Sequence, residues 1–279
     1  MEKAKSFDYT ALISVYKNED AQNLYKSMQS ILNQTLPCKE LVLIKDGKLT
    51  TSLDETIMYF KNQFSKAKVI VKVIENKSNL GLARSLNEGI EKSSSKFVAR
   101  FDSDDVSRTD RMEKTAQVFK NDESLEVVGS WIKEFKKDTI NIVSIKRVPV
   151  DNTEIIKYAH HRNPMNHMTV TFKLDSVKEV GKYTNIKYFE DYFLWLKMIN
   201  KGKKLINIPE SLVYARVDNG FIKRRSGIRY MFYEIQFQKK VYQSGFQDKI
   251  QFVFNVMSRG IIRLLPASML LKIYAMIRR

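Results

Sequence analysis

The chain contains 279 residues, of which 43% are hydrophobic, so it is long enough to bury the core of one large domain. Its single cysteine, Cys38, excludes an internal disulfide framework and a cysteine-rich zinc site, and we expect this thiol to be a packing residue. The formal net charge of +17 predicts an anionic partner, whether a nucleic acid, a lipid headgroup or a phosphorylated small molecule.

The first hundred residues alternate short β-branched runs with amphipathic segments. The first apolar run, 11–16, is too short for a signal peptide or a membrane span, so we expect a protein in the cytosol or bound to a surface. The alternation predicts an α/β fold in which crossover helices join parallel strands. The predicted strands are 9–16, 40–45, 69–75 and 97–101, and the predicted helices are about 20–33, 53–64 and 82–92.

Polar or glycine-containing segments follow each of these four strands. In an open α/β sheet, ligands bind in the crevice outside the carboxyl ends of the strands, so these loops should meet at one rim. Further along the chain, the pattern predicts strands at about 127–135 and 169–173 and a helix at about 190–200. We predict one domain over residues 1–220 and a C-terminal appendage over 221–279.

An acidic cluster, Asp102-Ser103-Asp104-Asp105, comes directly after the fourth predicted strand. Side chains two residues apart in an extended chain point the same way, so Asp102 and Asp104 should face one side together. Mg²⁺ and Mn²⁺ prefer such oxygen ligands and share them with substrate phosphates. We predict that Asp104 and Asp102 hold Mn²⁺ or Mg²⁺ and that Asp105 caps the next helix; the alternative is a solvated aspartate-rich turn.

The segment Asn79 to Ser85 contains Gly81 immediately before a predicted helix. Glycine permits a tight turn and a close backbone approach, and the first N–H groups of the helix can bind an anion. The alternative is a plain helix start. The sequence contains neither G-x-x-x-x-G-K-[ST] nor G-x-G-x-x-G, so a kinase-type or dinucleotide-binding fold lacks its signature.

Five segments in this order resemble the inverting glycosyltransferases of family 2, which have the GT-A nucleotide-diphospho-sugar transferase fold. The segments are 14–19, 46–47, 79–85, 102–104 and 190–191, within a similarity that covers roughly residues 10–225. The resemblance implies a mostly parallel central sheet flanked by helices, with a C-terminal helical appendage. It also implies a donor half at about 8–105 and an acceptor half at about 106–220.

The same resemblance assigns roles to side chains in these segments. Ser14, Tyr16 and Glu19 would line the nucleotide pocket, Asp46 would contact the uracil or ribose, and Arg84 would lie near the base or the phosphates. Asp104 would hold the metal. The nucleotide-binding set is therefore predicted to be Ser14, Tyr16, Glu19, Asp46, Asn79, Gly81, Arg84 and Asp102. The family commonly carries two consecutive aspartates in its second loop, where this chain has Lys45 before Asp46.

Glu190 and Asp191 begin an amphipathic helical pattern. Carboxylates in a first helical turn are stabilised by the helix dipole, whatever else they do. The pair matches the Glu-Asp motif of the family, in which the aspartate removes the proton from the acceptor hydroxyl. We therefore predict that Asp191 is the general base of a direct displacement that inverts the anomeric carbon.

Two further segments are candidates for contacts with phosphates or the acceptor. Residues 163–168 resemble a segment of a bacterial surface-polysaccharide subgroup, in which the histidine, here His167, borders the acceptor or the diphosphate. The alternative is a structural histidine. Residues 219–225 combine a flexible turn with three cations, which predicts a lid whose Arg224 or Arg225 pairs with a phosphate. The alternative is a solvated basic turn.

The last fifth of the chain is strongly basic, with 12 Lys+Arg against 2 Asp+Glu from residue 221 to 279. From Lys249 onward, apolar side chains recur at helical spacing, and no uncharged stretch reaches the roughly 20 residues that span a bilayer. We predict a pair of amphipathic helices broken near Pro266 that lie in a membrane interface. The alternative is a soluble hairpin packed on the domain or on a homodimer partner.

The predicted protein is a hexosyltransferase of O-antigen or exopolysaccharide synthesis, peripheral on the inner face of the cell membrane. The donor would be UDP-galactose or, second, UDP-glucose, and the acceptor a sugar on polyprenyl diphosphate. One rival is a non-catalytic polyanion or nucleic-acid binder, but the sequence contains no recognisable nucleic-acid motif, so we expect no nucleic-acid partner. The other is a nucleotidyltransferase, which would not need Glu190-Asp191.

Overall fold

The computed structural model describes residues 7–217 and 227–262. The strands are β1 Tyr9–Val15, β2 Glu40–Lys45, β3 Ile70–Glu75, β4 Phe97–Phe101, β5 Val106–Ser107, β6 Leu125–Phe135, β7 Ile142–Lys146, β8 Thr171–Lys173 and β9 Lys204–Arg216. The helices are α1 Ala21–Leu32, α2 Thr51–Lys66, α3 Leu82–Lys92, α4 Arg111–Asn121, α5 Asn152–Ala159, α6 Leu174–Glu179, α7 Glu190–Asn200, α8 Ile228–Gln243 and α9 Lys249–Ile262. Within these residues the strands form one sheet in the order β3-β2-β1-β4-β8-β6-β9-β5, and β7 pairs with β6.

The N-terminal half of the sheet is parallel, as the sequence predicted. β1 pairs with β2 and β4, and β2 pairs with β3, all in parallel register. The predicted helices α1, α2 and α3 are confirmed. Asp20 caps α1 through the N–H groups of Gln22 and Asn23, while Thr50 caps α2, which therefore begins two residues before the predicted start.

The C-terminal half of the sheet is mixed. β8 pairs antiparallel with both β4 and β6, whereas β6 and β9 run parallel to each other. β9 was not predicted from the sequence. Its apolar pattern is interrupted at Pro209 and Glu210, where the register of β6 with β9 jumps from Ser130–Ile208 to Trp131–Ser211. Proline is tolerated inside a sheet only at such an irregularity or at an edge.

Helices cover both faces of the sheet and bury two apolar clusters. On one face, α1, α2 and α4 contribute Leu24, Phe60 and Met112, and on the other, α3, α6 and α7 contribute Leu86, Val177 and Trp195. Cys38 lies in the first cluster, and burial raises the pKa of its thiol to about 12. The prediction that Cys38 is a packing residue is therefore confirmed.

The carboxyl ends of six strands, β1, β2, β3, β4, β6 and β9, lie at the same rim. β6 is antiparallel to β8, which is antiparallel to β4, so β6 and β9 point the same way as β1, β2 and β4. The segments after β1, β2 and β4 carry the predicted donor-site residues, and the sheet topology therefore brings these loops to one edge.

The helices α8 and α9 pack against the rest of the protein. The ring of Phe237 on α8 stacks on Phe189, just before α7, with centroids 4.6 Å apart. Asn255 on α9 donates to the carbonyl oxygen of His160 at 3.0 Å. None of the helices in the described ranges has the length and hydropathy needed to cross a bilayer. The lid residues 219–225, with Arg224 and Arg225, and the predicted helix after Pro266 lie outside the described residues.

Candidate active site

The loop after β4 is anchored at its start to the first loop of the sheet. Ser27 on α1 donates from its hydroxyl to the carbonyl oxygen of Asp102 at 2.6 Å. Ser103 donates to a carboxylate oxygen of Glu19 at 2.6 Å. Glu19 follows β1, so these two bonds hold the acidic loop beside the predicted nucleotide pocket.

The second half of the acidic loop is anchored to β9. The backbone N–H of Arg216 donates to the carboxylate of Asp105 at 2.8 Å, and its side chain donates from Nε to the carbonyl oxygen of Asp104 at 3.3 Å. The prediction that Asp105 caps a helix is wrong, because β5 follows it directly and α4 begins only at Arg111. Asp105 instead ties the acidic loop to the end of a distant strand.

Asp102, Asp104 and Asp105 form a compact carboxylate cluster. One oxygen from each lies within 4.8 Å of the others. Burial, and then the charge of Glu19, raises the pKa of Asp104 to about 6, and burial together with Asp104 raises the pKa of Asp105 well above its ordinary value. These shifts mark two carboxylates whose ionised forms are costly where they are buried. A hard divalent cation fits this set, because it takes carboxylate oxygens and would neutralise them.

A buried arginine, Arg100, lies beneath the cluster. Its side chain, on β4, forms an ion pair with the carboxylate of Asp102. Burial lowers the pKa of Arg100, while several opposing charges act to raise it, among them those of Asp104 and Asp191. The same guanidinium therefore lies within electrostatic range of both the predicted metal ligand and the predicted base. One buried cation thus acts on both predicted groups, whose roles stay predictions.

Asp191 lies in the first turn of α7, where its carboxylate is partly buried. Asn163 donates from its side-chain amide to one carboxylate oxygen of Asp191 at 2.6 Å, which fixes the orientation of the carboxyl group. Three residues earlier, Tyr188 has a φ of +72°, in the left-handed region that bulky side chains rarely adopt. Backbone strain of this kind is concentrated at functional sites.

His167 lies in the same region and is engaged by a neighbouring side chain. Its Nε2 is 2.8 Å from the hydroxyl oxygen of Tyr183. Burial, and then the charge of Arg100, lowers the pKa of His167 well below its ordinary value, so the imidazole is neutral at pH 7. Its role beside the acceptor or diphosphate stays a prediction, and a neutral ring could act there only through hydrogen bonds.

The other predicted nucleotide contacts lie along the same rim. Tyr16 follows β1 with 44% of its side chain exposed, and Ser14 is partly buried near the end of that strand. Asn79 and Arg84 are exposed, before and on α3 respectively. Their roles in binding the donor stay predictions, as does that of Glu19.

Asp46 is held by the chain itself. It is only 5% exposed, and its carboxylate accepts hydrogen bonds from the N–H groups of Leu80 at 2.8 Å and Gly81 at 3.0 Å. Asn76 donates to the same carboxylate at 3.1 Å. The N–H groups of Leu80 and Gly81, just before α3, are thus bound to Asp46, whereas the N–H groups that the sequence suggested as an anion site begin at Leu82. The turn requires a φ of +85° at Gly81, a backbone conformation that glycine adopts without steric strain.

This arrangement predicts a loss of stability in Asp46→Ala. The substitution leaves the buried amide of Asn76 and the partly buried N–H groups of Leu80 and Gly81 without the Asp46 acceptor. An unsatisfied buried group costs roughly 1–3 kcal/mol, and a partly exposed one costs less. We expect a lower free energy of unfolding in urea than for the wild type. An unchanged unfolding midpoint together with a raised KM for the donor would show that Asp46 acts only on the nucleotide.

Sequence comparison relates the chain to known proteins. Residues 11–179 match the model of the family described as glycosyl transferase family 2. The UDP-Gal:alpha-D-GlcNAc-diphosphoundecaprenol beta-1,3-galactosyltransferase of Escherichia coli is 33% identical over 260 residues, which cover 93% of this chain and 92% of that protein. The amylovoran biosynthesis glycosyltransferase AmsE of Erwinia amylovora is 31% identical over 269 residues, covering 95% of this chain and 97% of the relative.

Structural comparison supports the fold. The mannosyltransferase PcManGT from Pyrobaculum calidifontis, solved in complex with GDP-Man and Mn²⁺, superposes with a TM-score of 0.66 at 18% identity, over 96% of this chain and 79% of that one. S. aureus TarS 1-349, in complex with UDP-GlcNAc, superposes with a TM-score of 0.63 at 15% identity, over 92% of this chain and 72% of that one. The similarity extends over nearly the whole chain, so the mixed sheet and its helices are of the GT-A type.

Proposed function

Because this chain belongs to glycosyl transferase family 2, we propose that it transfers a hexose from a UDP-sugar to a sugar carried on polyprenyl diphosphate, with inversion. It is a glycosyltransferase of bacterial polysaccharide biosynthesis. We propose galactose as the hexose and glucose as the second choice. The relative that uses UDP-galactose and a lipid-linked GlcNAc aligns along almost its entire length, which supports this donor and this acceptor.

The observation that carries the proposal is the buried Arg100, which is ion-paired with Asp102 of the acidic cluster and whose pKa the charge of Asp191 acts to raise. A transferase must stabilise the departing diphosphate and activate the acceptor within one cavity. A nucleotidyltransferase would need carboxylates that bind the metal, but it would not need a base such as Asp191. The presence of a partly buried, oriented carboxylate at Asp191 favours sugar transfer.

Asp104 and Asp102, with Asp105 close by, would hold a divalent cation, Mn²⁺ or Mg²⁺. When bound, this cation supplies positive charge to the diphosphate that leaves with the nucleoside. The pair between Arg100 and Asp102 holds one carboxylate in place and adds a buried positive charge beneath the cluster. Glu19, bonded to Ser103, keeps the nucleotide loop next to the diphosphate position.

Asp191 accepts the proton from the acceptor hydroxyl as that oxygen attacks the anomeric carbon. Asn163 holds one carboxylate oxygen, so the base is oriented before the acceptor arrives. Direct attack opposite the leaving nucleoside diphosphate converts an α-linked donor into a β-linked product. The lipid part of the acceptor places the reaction at the membrane surface, with the protein peripheral on its inner face.

The proposal is tested by incubating the purified full chain with radiolabelled UDP-galactose, UDP-glucose, UDP-GlcNAc or GDP-mannose and a synthetic GlcNAc-diphosphate lipid. Each donor is assayed with Mn²⁺, with Mg²⁺ and with EDTA. We expect transfer from UDP-galactose in the presence of metal and a β-linked product by NMR coupling constants. Transfer from GDP-mannose alone would refute the UDP-sugar assignment, and an α-linked product would refute the inverting mechanism.

A further inference from the structure

The helix α9 has its polar side chains turned toward the protein. Asn255 donates to the carbonyl oxygen of His160 at 3.0 Å, and Arg259 forms an ion pair with the buried Glu234 of α8 at 2.8 Å between Nε and Oε1. Amphipathic helices of soluble proteins normally bury the apolar face and expose the charged one. In α9, by contrast, the face that carries Asn255 and Arg259 packs against the protein.

The apolar side chains of α9 consequently face outward. Ile250 is 81% exposed, and Val253, Phe254 and Met257 are each at least half exposed. Their spacing of three, four and seven residues places them on one side of the helix. We call these four residues the α9 stripe.

The adjoining helix α8 extends this apolar surface. Ile228 and Phe232 are each more than half exposed, whereas Tyr230 and Phe237, on the other side of α8, are buried in the cluster with α7. The hairpin of α8 and α9 therefore packs on the protein with one side and presents apolar side chains on its outer side. An exposed apolar surface of this kind marks a site of interaction.

Exposed cations lie on the same two helices as the apolar side chains. Arg229, Lys239, Lys240 and Lys249 are all exposed on the hairpin. The two acidic residues of this region are engaged within it: Glu234 pairs with Arg259, and Asp248 accepts from the N–H of Gln251 at 2.7 Å. The outer surface therefore combines apolar side chains with positive charge.

We propose that the outer surface of the α8–α9 hairpin, centred on the α9 stripe, inserts into the headgroup region of a bilayer that contains anionic lipid. Apolar residues buried at the acyl boundary and cations paired with lipid phosphates are the two requirements of interfacial binding. A second copy of the chain fits less well, because apposing two such surfaces would bring their exposed cations together.

The buried side of the hairpin packs against the segment that precedes the base. Tyr188, three residues before the base Asp191, contacts Tyr230 of α8 with ring centroids 5.2 Å apart. The base is therefore connected by direct packing to the element that binds the membrane. This last step rests on the proposed function: an acceptor whose lipid lies in the same bilayer would present its sugar from the hairpin side.

The experiment is co-sedimentation of the full chain with vesicles of phosphatidylcholine alone or mixed with phosphatidylglycerol. The test variant is Phe254→Ser with Met257→Ser, and the matched control is Ile140→Ser with Val143→Ser. Both pairs are more than half exposed, so neither change should prevent folding. We expect the wild type and the control to bind anionic vesicles, and the test variant to lose about tenfold or more in partition coefficient.

Equal binding of the test variant and the wild type, or no binding of the wild type, would overturn the proposal. A dimer in sedimentation equilibrium that the test variant abolishes would instead assign the stripe to a second copy. An assay of transfer to a short, water-soluble acceptor separates the membrane-binding proposal from the proposed function. The test variant should keep this activity, because such an acceptor does not depend on the membrane. Failure of that assay in the wild type would count against the proposed function and leave vesicle binding as a separate result.

Discussion

Asp191→Asn is expected to lower kcat by about 10²–10⁴-fold, the usual contribution of a positioned general base. The substitution keeps the size of the side chain and an oxygen that can accept the 2.6 Å hydrogen bond from Asn163. It removes only the basic site. Donor binding should persist, because the cation and nucleotide contacts of the proposed mechanism lie on the loops after β1, β2 and β4.

The measurement compares kcat at saturating donor and acceptor with the donor Kd from calorimetry. The matched control is Asp151→Asn, which changes the same group at the start of α5. Asp151 caps that helix through the N–H of Glu154 at 3.0 Å, and asparagine caps helices equally well, so the control should keep the wild-type rate. A folded Asp191→Asn protein that binds donor and turns over at the wild-type rate would assign the base to another residue.

The parallel half of the sheet could be predicted because its strands are continuous apolar runs separated by amphipathic helices. The same reasoning placed Asp46 and Asp104 at one rim, since each follows a parallel strand. β9 escaped prediction because Pro209 and Glu210 break its pattern at a bulge. Such an irregularity depends on the neighbouring strand, and a single sequence does not show which strand that is.

Arg100 is a residue of the candidate site that we did not predict, although the sequence could have indicated it. It is the only charge in the strand Phe97–Phe101, and a buried cation in an apolar strand requires acidic partners. Tyr183 and Arg216 carried no comparable signal, and Asn163 was indicated only as a neighbour of His167 in the segment 163–168. Their contacts join segments that are distant in the chain, such as Arg216 with Asp104, 112 residues apart.

The orientation of α9 shows a different limit. Helical periodicity correctly predicted a helix with an apolar face and a basic face. It did not predict which face would contact the protein, because this depends on the buried Glu234, which lies on another helix and pairs with Arg259. Burying a carboxylate requires a cation, and this requirement turns Arg259 inward and the apolar side outward.

Asp104→Asn is expected to abolish metal-dependent transfer while leaving the metal-free protein at least as stable as the wild type. The carboxylates of Asp102 and Asp105 would remain, but the first is paired with Arg100 and the second accepts from the backbone of Arg216. Cation affinity should therefore fall steeply. A bound metal contributes several kcal/mol to transition-state stabilisation, so kcat/KM should fall by roughly 10²-fold or more.

The effect on stability has the opposite sign because the ionised carboxylate of Asp104 is costly where it is buried. Burial and Glu19 raise the pKa of Asp104 to about 6, so its ionised form destabilises the metal-free fold at neutral pH. The gain in stability from Asp104→Asn should be complete above pH 6, shrink as the pH falls, and vanish below the ordinary pKa of aspartate, about 4.

Thermal unfolding in EDTA at several pH values measures this change in stability, and Mn²⁺ binding followed by electron paramagnetic resonance measures the cation affinity. Asp20→Asn, which keeps the cap of α1, is the matched control. Mn²⁺ binding at wild-type affinity by Asp104→Asn would show that Asp104 is not a metal ligand, and transfer by the wild type at an unchanged rate in EDTA would remove the metal from the mechanism.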